Sequence, residues 1–151
     1  CIRDRWNILC DNIFLNHSHA LILNDDIYLG KDTDQIMSII RKKADLYCAE
    51  EVCDFFSAFI LPKKTYDECG RFDEQFTGCY YEDRDYMRTI GVQHQRKILI
   101  TEDLNAEFFR RNTSVNADPR LAAGRQTNER RYIEKWGGAL GAETFTTPFG
   151  K

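Results

Sequence analysis

Two acidic blocks carry the residue types with the most chemistry to offer. The first, Asn24-Asp25-Asp26, ends the short apolar run Ala20-Leu21-Ile22-Leu23 and gives way directly to Ile27. The second is Glu82-Asp83-x-Asp85, which follows Tyr80 and Tyr81. Hard oxygen ligands of this kind suit Mg²⁺ or Mn²⁺, cations held by one or two carboxylates together with substrate phosphates. A carboxylate beside an aromatic wall, here Phe76, Tyr80 and Tyr81, can serve as a general base. Each block also has an ordinary structural use. Aspartates favour turns, and an acid opening a helix caps it or complements its dipole. Read together, the blocks suggest one metal site and one base, the components of a metal-assisted transfer.

Other chemistry finds less support. His17, His19 and His94 have no third ligand at metal-like spacing and are expected to be structural or exposed. There is no GxGxxG, no GxxxxGK[ST] and no GxSxG, so phosphate-loop and hydrolase-triad readings have no footing.

The acids need elements to position them. Apolar spacing through Trp6, Ile8, Leu9, Ile13 and Phe14 predicts a helix over Asp4 to Asn16. Ala20 to Leu23 reads as a strand whose end delivers Asn24-Asp25-Asp26 to a crevice. Asp32 opens a helix over Asp34 to Lys43, with Ile36, Ile39 and Ile40 as its apolar stripe. Asp45 to Ala49 and Phe55 to Leu61 read as strands, and Lys63 to Cys69 as a short helix stopped by Gly70. Arg71 to Tyr81 reads as a packed loop. Asp83 to Gly91 is expected as a helix with acids in its first turn. Lys97 to Thr101 and Asn105 to Arg111 read as strands, Asn112 to Arg120 as a mobile polar loop, and Leu121 to Trp136 as a helix ended by Gly137-Gly138. Alternating strands and helices define the α/β class.

The 151 residues amount to one domain. Hydrophobic residues at 42% and aromatics at 13% supply a core. A net charge of -3 offers no general attraction for nucleic acid or anionic lipid. The six cysteines follow no zinc or CxxC spacing, and free thiols in a reducing cytoplasm are expected. No apolar run approaches the roughly 20 residues that span a bilayer, and no secretory leader is read. The chain opens at Cys1 inside a helical pattern, so residues ahead of it are expected in a longer protein.

At the two acidic blocks the chain resembles family 2 glycosyltransferases of the GT-A fold. The resemblance runs from Trp6 to Gly91. It rests on Leu21-Ile22-Leu23-Asn24-Asp25-Asp26 as the apolar strand with a DxD-type end, and on Phe56-Ser57-Ala58-Phe59-Ile60 as a strand bearing Ser. Gly70-Arg71-Phe72-Asp73-Glu74-Gln75-Phe76 matches the family's Gly-x-Phe-Asp-Glu-x-Phe segment, and Tyr81-Glu82-Asp83-Arg84-Asp85 its Glu-Asp-x-Asp block. Lys135-Trp136-Gly137-Gly138 is similar to a feature of some phage and viral members.

The resemblance implies a GT-A-like sheet flanked by helices, here lacking the amino-terminal strands that hold the base. It implies a sugar moved from a nucleotide-diphosphate donor to a glycan or other hydroxyl acceptor, with inversion. Asp26 would hold Mn²⁺ or Mg²⁺. Asn24 and Asp25 would face the ribose or donor sugar, with Arg5, Trp6 and Asn7 near the donor. Asp83 would be the base and Glu82 its neighbour in the acceptor site. Asn24 replaces the usual first acid, and Arg110 or Arg111 would neutralise phosphates where many members carry a metal-binding His. Strand edges left open by a missing half would favour a homo-oligomer. Two other readings share these acids: a non-catalytic module on the same scaffold, and a Mg²⁺-dependent phosphoesterase.

Overall fold

The computed structural model describes residues 2–24, 27–30, 32–49, 56–77, 80–104, 106–108 and 119–151. The chain is mixed α/β. Its central sheet has four strands in the order β1-β4-β3-β5: β1 (His19–Leu23), β4 (Ala58–Pro62), β3 (Leu46–Ala49) and β5 (Ile98–Thr101). β4 is antiparallel to both β1 and β3, while β5 is parallel to β3. β1, β3 and β5 therefore run one way, and their carboxyl ends share an edge with the start of β4. A second sheet pairs β2 (Ile27–Leu29) with β6 (Ala106–Phe108), antiparallel.

Both faces of the central sheet are covered, which explains the uninterrupted apolar runs of β3 and β4. Leu46, Cys48, Phe59 and Leu61 face one layer. It holds α1 (Ile2–Ile13), α3 (Lys63–Cys69) and α4 (Glu82–Arg88), through Trp6, Cys10, Tyr66, Cys69 and Tyr86. Trp6, Cys10 and Phe14 recur every fourth residue, one stripe of a helix. Tyr47, Ala49, Ala58 and Ile60 face the other layer, where α2 (Thr33–Ile40) brings Ile36, Ile39 and Ile40. α2 starts with a capping box: Asp32 Oδ1 accepts from Gln35 N at 2.9 Å, and Asp32 N donates to Gln35 Oε1 at 3.2 Å.

α3 stops at Gly70, whose φ of 90° is costly for any residue with a Cβ. α5 (Pro119–Trp136) builds a third, smaller cluster in which Tyr132 and Trp136 close over Phe76. Among the described residues, Cys10, Cys48 and Cys69 are free thiols, and no helix is long and apolar enough to cross a membrane.

Several boundaries differ from the sequence reading. β4 begins at Ala58 because Phe56 and Ser57 turn before the ladder starts. The helix expected to reach Gly91 ends at Arg88 and passes into a π-helical turn, Thr89–Gln93. Ile27–Leu29 is a strand that its three residues alone do not announce. Phe55, Asn105, Arg110, Arg111 and most of the expected loop at 112–120 lie outside the described residues.

Candidate functional site

β1 ends at Leu23, and the next residue, Asn24, donates its backbone N–H to Ser57 O at 2.9 Å. Asn24 thus stands where β1 finishes and β4 starts. Asp25 and Asp26 follow it and lie outside the described residues; β2 starts immediately after them. Asn24 therefore lies at the shared carboxyl edge, where open α/β sheets place ligands. Ser57 Oγ is buried there without a hydrogen-bond partner among the described residues.

The second block opens α4, whose Tyr86 packs on the sheet face that carries Cys48, Phe59 and Ile22. Cys48 is level with Phe59, and Phe59 with Ile22, two residues before Asn24. Burial, with a smaller contribution from the Asp83 carboxylate, pushes the Cys48 thiol up to about 12. Asp83 is the second residue of α4. Its side chain is 13% exposed and lies 3.6 Å from Arg84 Nε. Glu82, beside it, is half-buried.

A framework of ion pairs and aromatics holds the second block. Asp85, 2% exposed, accepts from Trp136 Nε1 at 2.8 Å and lies 2.8 and 2.9 Å from Lys135 Nζ through its two oxygens. Lys135 also reaches Asp73 Oδ2 at 2.8 Å. Burial pushes the Asp85 carboxyl up against the pull of Lys135 and Trp136. Burial acts the same way on Asp73, but the Lys135 hydrogen bond, the Gln75 N–H and the charges of Lys135 and Arg131 win and hold it low. The segment from Gly70 to Phe76 bridges the halves of this framework. Phe72 stacks on Tyr86 at 4.0 Å, Tyr86 OH donates to Gly70 O, and Phe76 is covered by α5.

Asn7 belongs to that bridge. It is fully buried; its Oδ1 accepts from Phe72 N at 3.0 Å, and its Nδ2 donates to Phe72 O at 3.0 Å and Glu74 Oε1 at 2.9 Å. The amide is fully engaged and faces no open surface, so its geometry is that of a scaffold residue rather than a donor contact. Arg5 is exposed and Trp6 is core. His17 is exposed, and His19 is half-buried with its Nδ1 2.9 Å from Ser18 Oγ.

The structure thus places Asn24 after β1 beside Ser57, Glu82 and Asp83 at the start of α4, and Asn7 in the core against Phe72 and Glu74. Asp73, Asp85, Asn128, Lys135 and Trp136 had no assigned role in the sequence reading. A signal existed: Asn128, Tyr132, Lys135 and Trp136 fall on one helical face, and a lysine among aromatics implies a buried acid opposite. A cleft of about 600 Å³ opens at the far end of the sheet, around Ser18, His19, Asp45, Pro62 and Lys63. Its acids are engaged locally: Asp67 with Lys63, Asp45 with Lys97 N and Glu68 with Arg96.

Comparison with protein-family models, with curated proteins and with solved structures found no match for this chain.

Proposed function

We propose that this chain is the metal- and acceptor-side part of a GT-A-type glycosyltransferase that uses a nucleotide-diphosphate sugar and inverts the anomeric centre. One observation supports the reading: the first acidic block begins directly after the carboxyl end of β1, and the second opens α4, which packs through Tyr86 on the same sheet. The Ser57 hydroxyl, buried without a partner among the described residues and next to Asn24, also supports it, because such groups commonly await a ligand or water. The segment Asn24-Asp25-Asp26 supplies an amide oxygen and two carboxylates, a donor set whose chemistry fits Mn²⁺ or Mg²⁺, with Asp26 the assigned ligand. Bound there, the cation would neutralise the charge of the departing diphosphate.

The chain's own residues have distinct tasks. Asp83 accepts the proton of the acceptor hydroxyl as its oxygen forms the bond to the anomeric carbon and the bond to the diphosphate oxygen breaks. Glu82 orients the acceptor, and Asn24 and Asp25 face the donor's sugar or ribose. Low exposure at Asp83 limits water as a competing acceptor.

The test is calorimetric titration of nucleotide diphosphates and nucleotide sugars, with Mn²⁺ and with chelator, on the full-length protein and its Asp83→Asn variant. Metal-dependent binding of one nucleotide is expected in both, with turnover lost only in Asp83→Asn. Turnover at the normal rate in Asp83→Asn removes it from the base role. A second reading, a non-catalytic module on this scaffold, is favoured by the engagement of Asn7 in the framework. It predicts no metal-dependent nucleotide binding.

A further inference from the structure

Tyr80 and Tyr81 both have left-handed backbones, with φ of 71° and 73°. A side chain with a Cβ disfavours this region, and neither residue has the short polar group that eases it. Two such residues in succession persist only where the surroundings over-determine them. They stand directly before Glu82 and Asp83, so they set the direction in which the acid pair leaves the loop.

The groups that hold them come from one face of α5. Asn128, fully buried, donates Nδ2 to Tyr80 O at 2.9 Å. That carbonyl belongs to the peptide unit joining the two tyrosines, so the bond fixes the plane about which both turn. The Arg125 guanidinium lies 5.7 Å from the Tyr80 ring centre, and the Tyr132 ring 5.5 Å from that of Tyr81. Tyr81 also hydrogen-bonds Glu129. Positions 125, 128, 129 and 132 repeat at helical spacing, and the same face continues into Lys135 and Trp136 on Asp85.

We propose that Asn128 is a positioning residue: it holds the Tyr80–Tyr81 peptide in its left-handed course and thereby sets the direction in which Glu82 and Asp83 leave the loop. The catalytic meaning of this direction rests on the proposed role of Asp83; the direction itself does not.

The test is a rescue, read without donor or acceptor. The amide and carboxyl ¹³C signals of Glu82 and Asp83 are followed through a pH titration in the wild type, Asn128→Ala and Tyr80→Gly/Asn128→Ala, with Asp34 as a distant control. In Asn128→Ala the two acids are expected to shift their midpoints by about half a unit or more, roughly threefold in the protonation constant, while Asp34 stays put. The double variant should return toward the wild type, because glycine takes a left-handed backbone without strain. A merely structural role predicts the opposite, since an added glycine makes the chain floppier and the double variant worse. If Asn128→Ala does not fold, a folded double variant is the rescue, and an unfolded one overturns the proposal. Unchanged signals in Asn128→Ala, or a double variant further from the wild type than the single, also overturn it. A failed nucleotide titration overturns the glycosyltransferase reading and leaves this result intact.

Discussion

Replacing Lys135 by Met removes the only ammonium among the described groups that joins Asp73 to Asp85. Lys135 is 7% exposed and Asp85 is 2% exposed, so neither water nor a nearby surface cation can easily take its place. Breaking a buried pair by deleting one partner costs about 3–5 kcal/mol, mostly the penalty of the stranded charge. A domain holds about 5–15 kcal/mol in all, so the variant should melt roughly 6–20 °C lower at neutral pH. The pH dependence is the sharper test. Burial already raises Asp85 in the folded protein, and without Lys135 nothing but Trp136 opposes that rise. A carboxyl raised on folding favours the folded state at acid pH and loses that advantage as pH climbs through its folded value. The deficit of Lys135→Met should therefore be small near pH 4 and widen toward pH 8. Wild-type Asp73 is held low and behaves oppositely, lending stability above its unfolded pKa that is lost as pH falls. Urea melts of both proteins between pH 4 and 8 measure the difference. Adding Asp85→Asn to Lys135→Met should recover part of the loss at pH 7.5, since the amide oxygen still accepts from Trp136. A deficit below about 1 kcal/mol at pH 7, or one that is flat with pH, would mean that Asp85 is effectively solvated and the framework argument is wrong.

Three further outcomes follow from single contacts. Asn7→Ala strands the buried N–H and C=O of Phe72 and should cost on the order of 2–4 kcal/mol by denaturant melting; a loss under about 0.5 kcal/mol would show that water replaces the amide. Ser57→Ala removes an unsatisfied buried hydroxyl, so the ligand-free protein should be as stable as the wild type or up to about 1 kcal/mol more so, and a clear drop would reveal a partner for that hydroxyl. Burial pushes the Cys10 and Cys48 thiols up to about 12, so neither should react with iodoacetamide in native buffer at pH 8, whereas both should after unfolding; peptide mass spectrometry reads the difference.

What could be read from the chain was whatever local chemistry decides. Asp32 and Gln35 announce the start of α2, Gly70 the end of α3, and the unbroken apolar runs of β3 and β4 a sheet buried on both faces. The end of β1 at Leu23 was legible too, because the apolar run stops there. The long-range arrangement was not. β2 has three residues and becomes a strand through pairing with β6, nearly 80 positions later, and a pairing of that range leaves no local pattern. Asn7 reads as a polar residue beside a candidate site, and only the placement of Phe72 against it turns the amide inward. Tyr80 and Tyr81 hide best of all. Nothing in two tyrosines predicts a left-handed backbone, since their own preference runs against it. The conformation is imposed from α5, whose inward face mixes Asn128 and Lys135 with Tyr132 and Trp136. A helix that buries an amide and an ammonium among aromatics loses hydration at both, and the loss is tolerable only because each finds a partner in the loop or in α4. The local violation at Tyr80 and Tyr81 and the polar burial on α5 are therefore two sides of one arrangement, and both stand next to Glu82 and Asp83. Departures from local preference concentrate where a site must be held in a geometry the chain would not choose by itself.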